Sequence, residues 1–599
     1  ERRDRPQLVE RGLAAEESLD PEIGGLAAEI REQHAPFHWW LEFPEVFYQE
    51  RPDPLDGGKL NGAAYMEAFV GNPPFAGKNG IIAAFGDRYI PWLFTTNEDC
   101  HGFADLAAHF FRRVAALLGS HGTFGLVATN SIAEGASRTS VLQPLLRRGW
   151  LIYDATRNLP WPGESAAVTI SIIHMSHGSA REVAAKSVIL DGRPVKQVNS
   201  RLRANEERED AHVLQRNFPF RFLGPNVYGQ GFILNPNERE KLCISVHNQD
   251  RILPYIGGEE VNSHPIQEYS RYVITFGNMP LEQALQWPDL IKIVTERVKP
   301  ERDKANPTTA AGAHRKKYWW QFSEPRPELY ASLERLSRCL VTARVTKHLC
   351  FSFQATKRIF NEKIYVFPLE TFTSFAVLQS RVHIPWAWLL SSTLKTDLNY
   401  SASDCFDTFP FPTPDPHASL PAVEPAGKAF YEARACFMRE TDQGLTKTYN
   451  ALKDPENTDP RVLELRRLTE AMDRAVLDAY GWTDIVVPPY CPRTNAERDA
   501  VQAFEDEVID RLYVLNAERA AEEERLGFSK VKGKRGKQLK KPAAQPLPED
   551  PTPDEPTRKK LAKKATKAAA KRPAKNTAKK GTAKKAPKAH ADLFSKEPK

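Results

Sequence analysis

The sequence predicts an α/β layer, then a mixed α+β domain, a helical region and a basic tail, and three observations carry that prediction. Between about Phe37 and Met175, short apolar runs alternate with helical stretches, as in a mostly parallel sheet with helices on its faces. From about Phe218 to Pro414 the chain turns rich in aromatic and turn residues and loses that rhythm. After Phe528 the composition collapses to Lys, Ala, Pro and Thr, which leaves too little apolar surface to bury.

A chain of 599 residues exceeds one hydrophobic core and predicts several units. We place them at 1–35 (connecting helical segment), 36–178 (the α/β layer), 179–217 (linker), 218–414 (mixed domain), 415–527 (helical) and 528–599 (disordered tail). At 41% apolar and 27% charged the composition is that of a globular protein. Its apolar stretches fall short of the roughly 18 residues a membrane span requires, which excludes helical membrane proteins. Seven cysteines (Cys100, Cys243, Cys339, Cys350, Cys405, Cys436, Cys491) lack any C-x-x-C pair, so neither a disulfide framework nor a zinc or other metal site is expected. They read as reduced thiols of a cytoplasmic protein. The chain opens on Glu1 without a secretory or transit signal, and we read it as a piece of something longer.

The net charge of +7 conceals an asymmetry. From Lys530 onward there are 23 basic and 6 acidic residues, so the tail carries about +17 and the body about −10. Such a tail attracts polyanions by counterion release, whereas the body needs local basic patches to do so.

Within the first unit, residues about 104–118 hold apolar side chains at helical spacing and stop at Gly119 and Gly122, which predicts a helix. Ahead of it stands "EAFVGNPPFAGK", an apolar strand running into two prolines between an asparagine and a phenylalanine. In an open α/β sheet, ligands bind beyond the carboxyl ends of the strands, where Asn72 to Phe75 would fall. Two prolines fix the backbone and remove two N–H donors, leaving carbonyls free to accept hydrogen bonds at a rigid point. The Asn72 side chain adds another acceptor, and Phe75 supplies a flat face for an unstacked base. The plain alternative is a turn, since Asn and Pro both favour turns.

"PFHWWLEFPEVF" (Pro36 to Phe47) followed by "FVGNPPFAGK" resembles the gamma-class N6-adenine DNA methyltransferases, especially the large enzymes of type IIG restriction–modification and phage-defence systems. The resemblance implies a partial Rossmann-like catalytic domain in which Asn72, Pro73, Pro74 and Phe75 form motif IV. Asn72 and the Pro73 carbonyl would then bind the adenine amine, with Phe75 stacked on the flipped base. "GLVATNSI" (Gly125 to Ile132) looks like motif VI, and "LPWPGESAAVTISIIHM" (Leu159 to Met175) like the later strands, with Trp161 either a base-pocket aromatic or core. Double-stranded DNA, S-adenosylmethionine and other subunits of a restriction or phage-defence system are the implied partners. The glycine-rich cofactor turn that should precede motif IV is missing from the sequence, which leaves the cofactor-binding residues unknown. "VYGQGFILN" and "YIGGEEV" are expected to be ordinary turns.

The mixed domain suits target recognition. Its basic and aromatic residues interleave, and Arg315, Lys316, Lys317, Arg344, Lys347, Lys357 and Arg358 are the expected DNA contacts. Trp319 and Trp320 read equally well as core. "NYSASDCFDTFPFPTP" (Asn399 to Pro414) also resembles the recognition domains of type IIG-like enzymes. The helices after it are expected to brace the two domains, and the tail resembles linker-histone tails in composition. A nuclease is not recognisable, since "FNEKIYVF" lacks a further acidic partner. Two alternatives stay open: a non-catalytic DNA-binding or specificity protein, and a glutamine-modifying protein methyltransferase, whose N-P-P-aromatic motif holds a planar amide.

Overall fold

The computed structural model describes residues 37–528, apart from 49, 53–56, 62–64, 98–99, 101, 163–167 and 395–396. The connecting segment expected at 1–35 and the basic tail lie outside the described residues.

Six strands form the first sheet: β1 (Met66–Gly71), β2 (Leu118–Thr129), β3 (Leu151–Pro160), β4 (Thr169–Ser176), β5 (Val188–Leu190) and β6 (Arg193–Val195), in the order β1-β2-β4-β3-β5-β6. β1 runs parallel to β2 and β3 to β5, while β2–β4, β4–β3 and β5–β6 are antiparallel. The mostly parallel sheet expected from the sequence is therefore mixed. Pro160 and Thr169 are separated by too few residues for a parallel crossover, so β3 and β4 pair as a hairpin. The expected linker at 179–217 also needs correction, since β5 and β6 lie within it and extend the sheet.

The chain between β1 and β2 forms α1 (Lys78–Phe85), α2 (Tyr89–Thr96) and α3 (Leu106–Leu117). α3 forms where the sequence predicts a helix. The Asp105 carboxylate caps it by accepting the Ala107 N–H at 2.9 Å, and Leu106, Phe111, Val114 and Leu117 are buried from one apolar stripe. Phe111 and Val114 of the stripe share a cluster with Phe124 and Leu126 of β2, with Leu142 and Leu145 of α5 (Leu142–Arg147), and with Val141, which joins α5 to α4 (Gly135–Ser140).

The second domain holds three small sheets, which accounts for the lost βαβ rhythm. Its strands are β7 (Phe222–Leu223), β8 (Ile233–Leu234), β9 (Ile252–Ile256), β10 (Arg271–Ile274), β11 (Arg338–Ala343), β12 (Val345–Thr346), β13 (Ser352–Ala355), β14 (Ile359–Phe360), β15 (Ile364–Phe367), β16 (Ser392–Leu394) and β17 (Asp397–Asn399). They pair in the orders β8-β10-β9-β14, β13-β11-β15-β7 and β12-β17-β16. Three helices, α6 (Pro288–Arg297), α7 (Lys299–Asp303) and α8 (Ala310–Lys317), precede β11, and α9 (Phe372–Gln379) and α10 (His383–Leu390) follow β15. Trp320 is core: it is buried and its indole N–H donates to the Met279 carbonyl at 2.9 Å. Trp319 packs beside it, partly buried.

Four further helices, α11 (Glu424–Glu440), α12 (Leu445–Lys453), α13 (Pro460–Ala479) and α14 (Asn495–Arg525), share one hydrophobic cluster with β11, β15, α9 and α10. α14 also carries the expected brace. Along it Asp499 pairs with Arg193, Asp506 with Arg203, and Asp510 with Arg208, while Asn516 accepts the His212 N–H and Glu523 accepts those of Gln215 and Arg216. One helix thus holds the strip that leads from β6 into the recognition domain. Among the described residues no helix is long and apolar enough to cross a membrane.

Candidate active site

Asn72 follows β1 directly, so the motif stands at the carboxyl end of a strand, as the sequence predicts. Its side chains divide by exposure: Pro73 is buried, Asn72 and Pro74 are exposed, and Phe75 is half-buried. The buried proline anchors the turn while the carboxamide beside it stays accessible.

The residue after the motif is held from both sides. Ala76 donates its N–H to the Asp105 carboxylate at 3.3 Å, and its carbonyl accepts the Leu106 N–H at 2.8 Å. The Asp105 N–H in turn donates to Ser137 Oγ at 3.1 Å. One carboxylate therefore serves as helix cap and as clamp on the motif. Burial pushes the Asp105 pKa up, and the N–H groups of Ala107 and Ala76 work against that shift. The motif-IV reading left Asp105 out, although an aspartate just before an apolar helical run is a recognisable cap signal.

Trp161 leaves the end of β3 and lies edge-to-face with Phe75, at 6.3 Å between ring centroids and 88° between planes. Its N–H donates to the Val168 carbonyl at 2.9 Å across the hairpin. The segment compared with motif VI ends β2 and enters a single helical turn at Asn130–Ala133. There Asn130 donates from Nδ2 to Asn158 Oδ1 at 2.5 Å and accepts from Ser171 Oγ at 2.8 Å. Three neighbouring strands, β2, β4 and β3, thus fix one amide.

Beside Asn130 opens a cavity of about 460 Å³, within the roughly 300–1,000 Å³ usual for ligand pockets, lined by Glu134, Arg157, Asn158, Arg201 and Trp388 among others. Glu134 accepts the Thr393 N–H at 3.0 Å and its hydroxyl at 3.2 Å, tying the first sheet to β16. Burial raises the Glu134 pKa against the pull of the Thr393 bonds and the Arg201 charge. Arg157 is committed to Asp191 through Nε and Nη2, at 2.9 and 2.7 Å. The cavity mixes polar and apolar lining, is floored by strand ends, and is walled on one side by the second domain.

Neither of the two glycine-bearing turns, residues 255–261 and 227–235, offers a cradle for S-adenosylmethionine. Contrary to the expectation of an ordinary turn, Gly257 and Gly258 do sit between a strand, β9, and a helix, Gly258–Ser263. The space is filled by protein. A Cβ on Gly257 would lie 2.6 Å from Asn361 Nδ2 and 2.9 Å from Glu260 Oε2, and Glu260 already accepts the Gly257 N–H. Gly229 and Gly231 lie on a loop pressed against α6 and the start of α7.

The expected DNA contacts occupy three places. Arg315, Lys316 and Lys317 end α8, with the two lysines exposed and the Arg315 guanidinium 3.9 Å from the Tyr228 ring centroid. Arg344 and Lys347 flank β12 and are both exposed. Lys357 and Arg358 lie between β13 and β14, where Arg358 donates to Gln354 Oε1 at 2.7 Å and faces the Tyr269 ring.

Comparison with known proteins gives this geometry a context. Residues 28–187 match the family profile of the MmeI DNA-methyltransferase domain, and residues 219–413 that of the MmeI target recognition domain. The DNA methyltransferase A of Bacillus subtilis (strain 168) is 22% identical over 370 residues, 58% of this chain and 39% of that protein. A solved structure of the Type IIL restriction-modification enzyme MmeI in complex with DNA superposes with a TM-score of 0.55 at 19% identity, covering 76% of this chain and 57% of that one, and so shares the fold. The chain spans well under two thirds of the length of both. With both domain profiles present in order, and the N-P-P-F motif at the strand end of the first, this chain belongs with the MmeI-like, gamma-class DNA methyltransferases.

Proposed function

We propose that the chain is the catalytic and recognition part of a site-specific adenine-N6 DNA methyltransferase of a restriction–modification or phage-defence system, acting in the cytoplasm with S-adenosylmethionine as donor. The observation that carries this reading is the placement of Asn72–Phe75: exposed carboxamide, buried proline and half-buried ring at one strand end, with Trp161 edge-on to Phe75. A flipped adenine has an exocyclic amine with two hydrogens and a flat face. The Asn72 carboxamide oxygen and the Pro73 carbonyl accept the two amine hydrogens, which turns the nitrogen lone pair out of the ring plane and makes it nucleophilic. Phe75 holds the base by stacking, and Trp161 backs Phe75. The two domain matches support DNA as substrate and methylation as the reaction. The recognition domain favours DNA over a glutamine side chain as the planar target.

The test is transfer of labelled methyl from S-adenosylmethionine to unmodified DNA, with nucleoside analysis, for this chain and for Asn72→Ala. N6-methyladenine from the unmutated chain alone is the expected result. DNA binding without any product would leave the alternative of a non-catalytic specificity protein.

A further inference from the structure

The loop that joins β7 to β8 carries a feature that the site above does not use. Tyr228 has φ of 41°, a left-handed conformation that a bulky side chain rarely adopts, and Gly229 follows at 134°. Strain of this kind persists only where the surroundings enforce it, and here they do. Asn226 and Glu324 exchange backbone hydrogen bonds at 3.0 and 3.1 Å, and Arg302 donates from Nη2 to the Val227 carbonyl at 2.9 Å. A Cβ on Gly231 would stand 2.6 Å from that of Arg297, so the loop lies hard against the end of α6.

The result is an exposed phenol placed on purpose. Tyr228 is 46% exposed, with the Arg315 guanidinium 3.9 Å and that of Arg302 5.5 Å from its ring centroid. Arg302 is wholly buried, and its Nε and Nη1 find no hydrogen-bond partner among the described residues. Burial lowers its pKa to about 10, and the nearby Arg315 charge adds to that. Neighbouring cations are already matched, Arg297 by Glu238 at 2.7 Å and Lys299 by Asp303 at 3.0 Å. Glu301 supplies a carboxylate on the loop's side, its Oε2 3.6 Å from the Cβ position of Gly229. Arg315 against the ring and the exposed Lys316 and Lys317 after it leave positive charge facing solvent, with the buried Arg302 guanidinium behind them.

We propose that Tyr228 and Arg315 form a clamp for a DNA backbone phosphate, with Arg302 as the positioning residue that holds the strained loop under the phenol. The inference rests on DNA being the substrate. It adds a specific contact that fixes where the recognition domain sits on the duplex, which is the usual task of phosphate contacts.

The experiment measures binding of a labelled duplex by the full chain across a salt series. Arg315→Gln should lower the slope of log affinity against log salt by about 0.9, the value of one neutralised phosphate, whereas Tyr228→Ala, which removes no charge, should keep the slope and weaken binding about tenfold through its lost hydrogen bond. Arg302→Met should lower the slope as Arg315→Gln does while Arg315 is still present, and Lys428→Gln, an exposed charge on α11, should keep the parent slope. The slope is a readout that a purely structural role would leave unchanged. A parent slope in Arg315→Gln or parent affinity in Tyr228→Ala overturns the clamp and leaves the DNA reading standing, even if Arg302→Met fails to fold. An equal loss in Lys428→Gln also overturns it. Failure of the unmutated chain to bind the duplex overturns the DNA reading and the clamp together.

Discussion

The first sheet and the recognition–helical region are finished differently. β1 is an edge strand with β2 as its one strand neighbour among the described residues, Val70 on it is 91% exposed, and Phe85, Trp92 and Phe103 nearby are about half exposed or more. In the second region Leu340, Phe367, Trp386, Tyr400 and Phe406 are at most 1% exposed, and sheets and helices share one cluster. A parallel strand is ordinarily covered on both faces. The contrast teaches that the second region supplies its own core, while the catalytic sheet depends on contacts to it, through Glu134–Thr393 and the α14 ladder, for part of its rigidity.

The largest test of that contrast falls in the closed region. Asp473 on α13 is fully buried and accepts from the Arg381 backbone N–H at 2.8 Å and from Nε at 2.6 Å, while Nη2 reaches the Pro488 carbonyl. Asp473→Ala leaves that guanidinium buried without its carboxylate and should lower stability by about 3–5 kcal/mol, read as a shift in urea midpoint. A shift below about 1 kcal/mol would show that the closed core has slack.

Acid should separate the regions next. Burial lowers the pKa of His383 to about 3 and that of His109, in the catalytic sheet's core, to about 4, with Arg112 adding to the latter. Each folded value lies below the ordinary 6.5, so the stabilisation is complete above pH 6.5 and is lost as pH falls. The loss per site is about 1.4 kcal/mol for each pH unit, ending near pH 4 for His109 and near pH 3 for His383. Urea midpoints from pH 7 downward should therefore flatten for His383→Gln relative to the parent, and an unchanged pH slope would contradict its neutral burial.

A smaller effect on stability but a sharp one on chemistry is expected at the clamp. Asp105→Ala should cost about 1 kcal/mol as a lost helix cap, yet reduce methyl transfer at least tenfold by freeing Ala76. Parallel small changes in both would mean that the motif holds its shape without it. Least of all, Val70→Lys should change stability by under about 0.5 kcal/mol while suppressing self-association in light scattering, because a charge blunts an open edge.

Legibility in the sequence followed locality. N-P-P-F announces itself because proline and asparagine shape their own backbone, and α3 because its apolar spacing and its glycine stop lie within one short stretch. β5 and β6 were misread as linker because three-residue strands such as "VIL" carry no period. Gly257 reads as an ordinary turn because its strand–turn–helix setting depends on pairing with β10 and, far along the chain, with β14. Asp105 as a clamp and Arg302 beneath Tyr228 were illegible for the same reason: their partners, Ala76, Ser137 and Val227, come together only in three dimensions.

α14 has a consequence for how such a chain can change over time. Its contacts with the strip from Arg193 to Arg216 fall at Asp499, Asp506 and Asp510, which share one side of the helix, and at Asn516 and Glu523, which share another about 100° round. Substitution at any single rung removes the bonds of that rung alone. Inserting or deleting one residue between Asp499 and Glu523 instead turns every later rung by about 100° and moves it about 1.5 Å. This helix is therefore a length standard, tolerant of spelling and intolerant of insertion, and lengthening of the chain is directed to the loops at its ends.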